Sequence, residues 1–340
     1  MSIRTRQIIK LVLRMLVTVL LLIWAFSQVD LGQFRQTVRT ARWQYLLGVW
    51  ATTAAFFWVQ SVALQSILKK QDCRVGVNTL FGASSVTALY SLFLPGFLSS
   101  GVKWYILKRY TGKGSNVLSS MLYNQVALMV VMMVIGLAGL IFTNPAQAAS
   151  PDAQPSRFLP LTCGVILVLL MLVSVLAVND RTGGIVVRLL AAALRPLPQA
   201  AREKGLTVLA QIETFQTAGW RFHMTIALIN AVDGFLVGFL MYLSAALAAH
   251  VAVPPGVLIW LCAMIYVLGR LPISIANLGV REATLVTLLA GYGVEESAAL
   301  LMSMILFSSL IFMAAVGVSY QLYWAVRSKR PDGPEESQLS

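Results

Sequence analysis

Four ionisable side chains stand inside long apolar stretches of this sequence: Asp233, Arg270, Arg281 and Glu282. Within hydrocarbon each costs ~2.5–3.5 kcal/mol on insertion scales, which makes each a candidate functional residue. Asp233 lies about halfway along an apolar run, and Asn230 falls three residues earlier on the same helical face. Two roles fit Asp233: an acid that couples protons, or a neutral acid hydrogen-bonded to a neighbouring helix. The nearby Gly234 and Gly238 suit close helix packing and the second role. Arg281 and Glu282 follow a Leu271-Pro272 step. Arg281 has the donor fork for a lipid phosphate. A half-helix beginning after Pro272 would add backbone N–H groups and partial positive charge, and Ser274 and Asn277 would add hydrogen bonds. Arg281 could instead satisfy buried charge by pairing with Glu282 or Asp233. Lys103 is its counterpart in the first half of the chain, either a second headgroup ligand or a simple charge anchor at the membrane surface.

Soluble-enzyme chemistry finds little footing. The two histidines, His223 and His250, lie at opposite ends of one apolar run, ~40 Å apart if it is helical. They cannot share a site. No zinc-protease, serine-hydrolase or carboxylate-rich metal motif appears, so no metal or cofactor is expected. Thr111-Gly112-Lys113-Gly114-Ser115 imitates a phosphate loop but lacks the earlier glycine and the Lys-Ser/Thr pair. No ATP drive is therefore encoded. Cys73, Cys163 and Cys262 are scattered without metal or disulfide spacing and read as packing residues.

The elements that must position these residues are membrane helices. Of the residues 58% are hydrophobic and only 11% charged, with mean hydropathy +0.77. So little polar surface cannot keep a chain of this length in solution. The apolar runs are long and continuous, unlike the alternating segments of a β-barrel. Six full spans are expected over about 8–28, 43–68, 117–142, 158–178, 222–249 and 296–325. Two interrupted ones, about 78–110 and 255–291, are broken at Leu94-Pro95 and Leu271-Pro272. Proline removes a backbone donor and ends or kinks the helix, which suits re-entrant hairpins hinged at Pro95, Gly101, Pro272 and Gly279.

The net charge of +13 follows this topology, which argues against a nucleic-acid partner. Of the 26 basic residues, 20 fall on one side if both interrupted elements return to the side they entered. That places the N- and C-termini in the cytoplasm. Arg35, Arg39 and Arg42 fall on the other side, and residues 28–42 read as a short amphipathic helix in the interface. Loop 179–221, with Pro196 and Pro198, suits one or two amphipathic helices at the cytoplasmic surface, and 329–340 reads as a disordered tail. The basic start followed by Ala25-Phe26-Ser27 also fits a cleaved secretory signal.

The chain contains an internal repeat. Ala41-Arg42-Trp43 opens one half and Ala218-Gly219-Trp220 the other, and 52 residues separate Trp43 from Pro95 and Trp220 from Pro272 alike. Gly101-Val102-Lys103 and Gly279-Val280-Arg281 follow the prolines. Repeat A covers about 41–142 and repeat B about 218–325, within one transmembrane domain over 1–328. The first copy starts inward and the second outward, so the repeats are inverted. Broken helices in inverted repeats place transporter sites near the midplane.

Leu271-Pro272-Ile273-Ser274, then Leu278-Gly279-Val280-Arg281-Glu282-Ala283, resembles the signature of the lysylphosphatidylglycerol synthetase transmembrane-region family, also called flippase-like. Leu94-Pro95-Gly96 and Gly101 with a basic residue resemble its first half, and the likeness spans about 8–325. It implies a bacterial inner-membrane protein related to the flippase part of lipid-aminoacylating enzymes, or to envelope-glycan and lipid export. With no soluble transferase domain after the last span, lysyl-lipid synthesis is not expected. Asn277 stands where many members have glycine, and Asn124-Gln125 where many carry a charged pair. The leading expectation is an all-α lipid or lipid-linked-intermediate translocator engaging an anionic headgroup. The alternatives are a scaffold in envelope lipid or glycan assembly, with a second copy or biosynthetic proteins as partners, and an intramembrane transferase.

Overall fold

The computed structural model describes residues 31–94, 96–145, 158–178, 217–270 and 278–328, together with residues 184, 203 and 215. The expected first span, most of loop 179–221, Pro95, Pro272, Ser274, Asn277 and the tail 329–340 lie outside them. The described residues form helices joined by short turns, with no strand among them.

Helix α1 (Leu31–Thr40) is the expected amphipathic element. Phe34, Thr37 and Val38 turn inward while Arg35 and Arg39 stay exposed, and Thr37 Oγ1 lies 3.2 Å from Ser297 Oγ. Next come α2 (Gln44–Lys70), α3 (Val77–Ser91), α4 (Gly96–Thr111), α5 (Gly114–Thr143) and α6 (Phe158–Val178). Then follow α7 (Trp220–Val232), a π-helical turn (Asp233–Val237) and α8 (Gly238–Ala248), which make one rod. The chain continues as α9 (Pro255–Leu268), α10 (Val280–Ala290) and α11 (Glu296–Ser328). α2, α5, α6, the α7–α8 rod and α11 are long and apolar enough to cross a membrane. They coincide with five of the six expected full spans. The interrupted elements appear as the pairs α3–α4 and α9–α10, each parted close to the expected break.

Hydrophobic exclusion between helices is weak in lipid, so small residues that admit close approach carry the packing. A Cβ on Gly136 of α5 would lie 2.9 Å from Ala263 of α9, and one on Gly139 would lie 3.0 Å from Trp260. On the rod, Gly234 abuts Met132 and Gly238 abuts Cys262, so both glycines serve the close packing their spacing predicts. α3 meets α11 still more closely, with Gly317 set directly on the Ser85 backbone. α2 lies along α8, and Trp50 of α2 donates to Ser308 Oγ at 3.0 Å while stacking on Phe312. α6 touches the body chiefly through α5 and shows its apolar face outward.

All three cysteines are free and buried, as packing residues would be. Cys73 sits in the turn between α2 and α3, where burial pushes its thiol above the usual range.

Candidate functional site

Helix α5 crosses the middle of the fold, and three consecutive residues on it reach three other helices. Successive helical side chains diverge by about 100°. Tyr123 thus meets His223 of α7, with Oη 2.6 Å from Nδ1. Asn124 donates to Gln60 Oε1 of α2 at 3.2 Å, and Gln125 donates to Tyr266 Oη of α9 at 3.4 Å. The Asn-Gln step is therefore a junction between two polar groups.

The first group surrounds Asp233. Gln60 Nε2 donates to Asp233 Oδ2 at 2.6 Å and to Asn230 Oδ1 at 3.1 Å. Asn230 and Asp233 are both 0% exposed. Asp233 opens the π turn, a widened segment of the kind frequent at functional sites. Gln60 was not singled out from the sequence. Its signal is an isolated amide inside an apolar run, which becomes informative only beside a carboxylate.

The second group lies at the breaks. Arg270, just after α9, donates to Tyr266 Oη at 2.7 Å, with its guanidinium carbon 4.5 Å from the centre of that ring. It is exposed, whereas Lys103 of α4 is half-buried. The two cations sit near enough to repel. One basic residue from each interrupted element thus comes within electrostatic range of the other, without an acidic partner between them among the described residues. Like charges are held together at a cost that a bound anion would offset.

Arg281 and Glu282 form a third, closed group. Arg281 Nη2 donates to Glu282 Oε1 at 2.5 Å, and Arg281 Nε donates to Ser303 Oγ at 2.7 Å. Ser303 Oγ in turn donates to Glu282 Oε1 at 2.8 Å. The other carboxylate oxygen accepts the Gly279 N–H at 2.6 Å, capping α10. Gly279 has φ +82°, a left-handed conformation that glycine takes without a Cβ clash. Arg281 also faces the Phe307 ring at 5.4 Å. Of the two pairings open to Arg281, Glu282 and Asp233, the one formed is with Glu282.

The two Gly-Val-basic triplets sit differently. Gly279 is the N-cap of α10, whereas Gly101 lies inside α4, which begins at Gly96. Lys103 consequently projects from a formed helix and Arg281 from a helix end. His250 Nε2 donates to the Thr40 carbonyl, 3.0 Å away, and has no part in these groups.

Among the described residues no three His, Cys, Asp or Glu side chains gather as a metal centre. The family model described as "Lysylphosphatidylglycerol synthase TM region" matches residues 11–317. No curated protein and no solved structure matches the chain.

Proposed function

This chain belongs to the lysylphosphatidylglycerol synthase TM region family, and from that premise we propose that it translocates a lipid or lipid-linked intermediate across a bacterial inner membrane. The observation that carries this reading is the Lys103–Arg270 pair. Two cations from separate broken elements, with no acidic partner among the described residues, form a receptor for an anionic headgroup, while acyl chains remain in lipid. Arg281, already engaged by Glu282 and Ser303, acts instead to fix the start of α10 beside the second break.

The inverted repeat belongs to the same reading, and the packing supports it. Exchanging α2, α3, α4 and α5 for the rod, α9, α10 and α11 turns the α3–α11 contact into the α9–α5 contact. The α2–α8 contact is returned to itself. The charge distribution supports cytoplasmic termini. A scaffold role draws support from the outward apolar face of α6, a surface suited to another membrane protein as well as to lipid.

Native mass spectrometry of the detergent-solubilised protein with phosphatidylglycerol and zwitterionic phosphatidylcholine tests the headgroup site. Phosphatidylglycerol should be retained preferentially, and Lys103→Gln with Arg270→Gln should erase the preference. Equal retention of both lipids by the unaltered protein would remove the basis for this reading.

A further inference from the structure

We propose that α1 is a docking surface for anionic phospholipid headgroups, in the leaflet opposite the basic end of α2. Arg35 and Arg39 stand one helical turn apart on α1, and Arg42 follows in the turn to α2. All three are exposed, as are Gln36 and Thr40 between them. The other side of α1 is held by the protein. Phe34 and Val38 pack against the buried core, Thr37 meets Ser297, and the Thr40 carbonyl accepts from His250. The Arg42 N–H donates to the Ala248 carbonyl at 3.0 Å. The arginines are thus presented on a docked helix.

Two observations select the occupant. The first is charge. Thr37 meets Ser297, and Ser297 donates to Glu295, so α1 is docked beside the acidic start of α11. Among the described residues Arg35, Arg39 and Arg42 nonetheless form no ion pair, which leaves their charge for an anion outside the protein. The second is height. α2 is long and apolar enough to cross a membrane, and Trp43 and Leu47 at its start are 48% and 67% exposed. An exposed Trp at the end of a span marks the edge of the hydrocarbon. Arg42 directly precedes Trp43 and so stands at headgroup level, where a guanidinium meets phosphate with paired donors. Lys69 and Lys70 close α2, 27 residues long and so ~40 Å from end to end, and belong to the other leaflet. The surface stands without the headgroup reading of Lys103 and Arg270. Exposed contacts of this kind need the headgroup density of a bilayer and are screened by salt, so retention of lipid in detergent does not report them.

Amide hydrogen exchange of the protein in nanodiscs is the test, comparing phosphatidylcholine alone with phosphatidylcholine plus phosphatidylglycerol at low ionic strength. Amides of residues 31–43 should exchange at least ~5-fold more slowly with phosphatidylglycerol present, and added salt should remove the difference. Arg35→Gln, Arg39→Gln and Arg42→Gln together should remove it as well; if that variant does not fold, the salt series decides. Equal exchange in both discs, as an acidic soluble partner in place of lipid would leave it, overturns the surface. So does a slowing that survives the triple variant or salt, or one shared by every peptide of the chain.

Discussion

Glu282→Ala is expected to destabilise the protein by about 3–5 kcal/mol, because it strands the buried Arg281 guanidinium. Arg281 is 8% exposed and Glu282 3%, so water cannot take over the lost partner. The same substitution removes the acceptor for Ser303 and for the Gly279 N–H, and α10 loses its cap. Replacing both charges together, Arg281→Met with Glu282→Leu, should cost less than Glu282→Ala alone. Apolar side chains of similar volume leave no unpaired charge, and the residual loss is the cap, about 1 kcal/mol. Denaturant or thermal unfolding of purified variants measures both. A double variant as damaged as the single one would show that the pair does not act as one unit.

Gly317→Ala should also weaken the fold, by about 1–3 kcal/mol, through contact between two backbones. Its Cβ would lie 2.3 Å from the Ser85 carbonyl oxygen and 2.9 Å from the Val86 nitrogen. No rotamer change relieves a clash with backbone, so α3 and α11 must separate. Gly101→Ala is the control. Its Cβ would meet nothing within 4 Å, and alanine favours a helix over glycine by up to about 1 kcal/mol. Opposite changes in Tm are expected, and a loss at both positions would contradict the packing described.

Much of this fold was legible because lipid imposes simple rules. Long apolar runs gave the spans and Leu-Pro steps marked the breaks. Arg35, Arg39 and Arg42, stray charges on the side otherwise nearly free of basic residues, pointed to an amphipathic α1. The π turn was not legible, since Asp233-Gly234 in an apolar run reads equally as regular helix. Nor was the Gln60–Asp233 bond, which joins residues far apart in the sequence through packing alone. Asn124 and Gln125 stood out only as departures from a charged pair. Their joint role needs the central position of α5, which no local pattern encodes. At Arg281 both pairings were open, and only the turn into α10 decides between them.

The central claim is tested most directly in liposomes containing the purified protein and a headgroup-labelled anionic lipid, by following label accessibility across the bilayer. Movement well above protein-free vesicles is predicted. It should fall ~10-fold or more when Lys103→Gln and Arg270→Gln remove the charge-assisted contacts. Equal rates in the unaltered protein, the double variant and empty vesicles would contradict translocation and turn attention to the exposed face of α6.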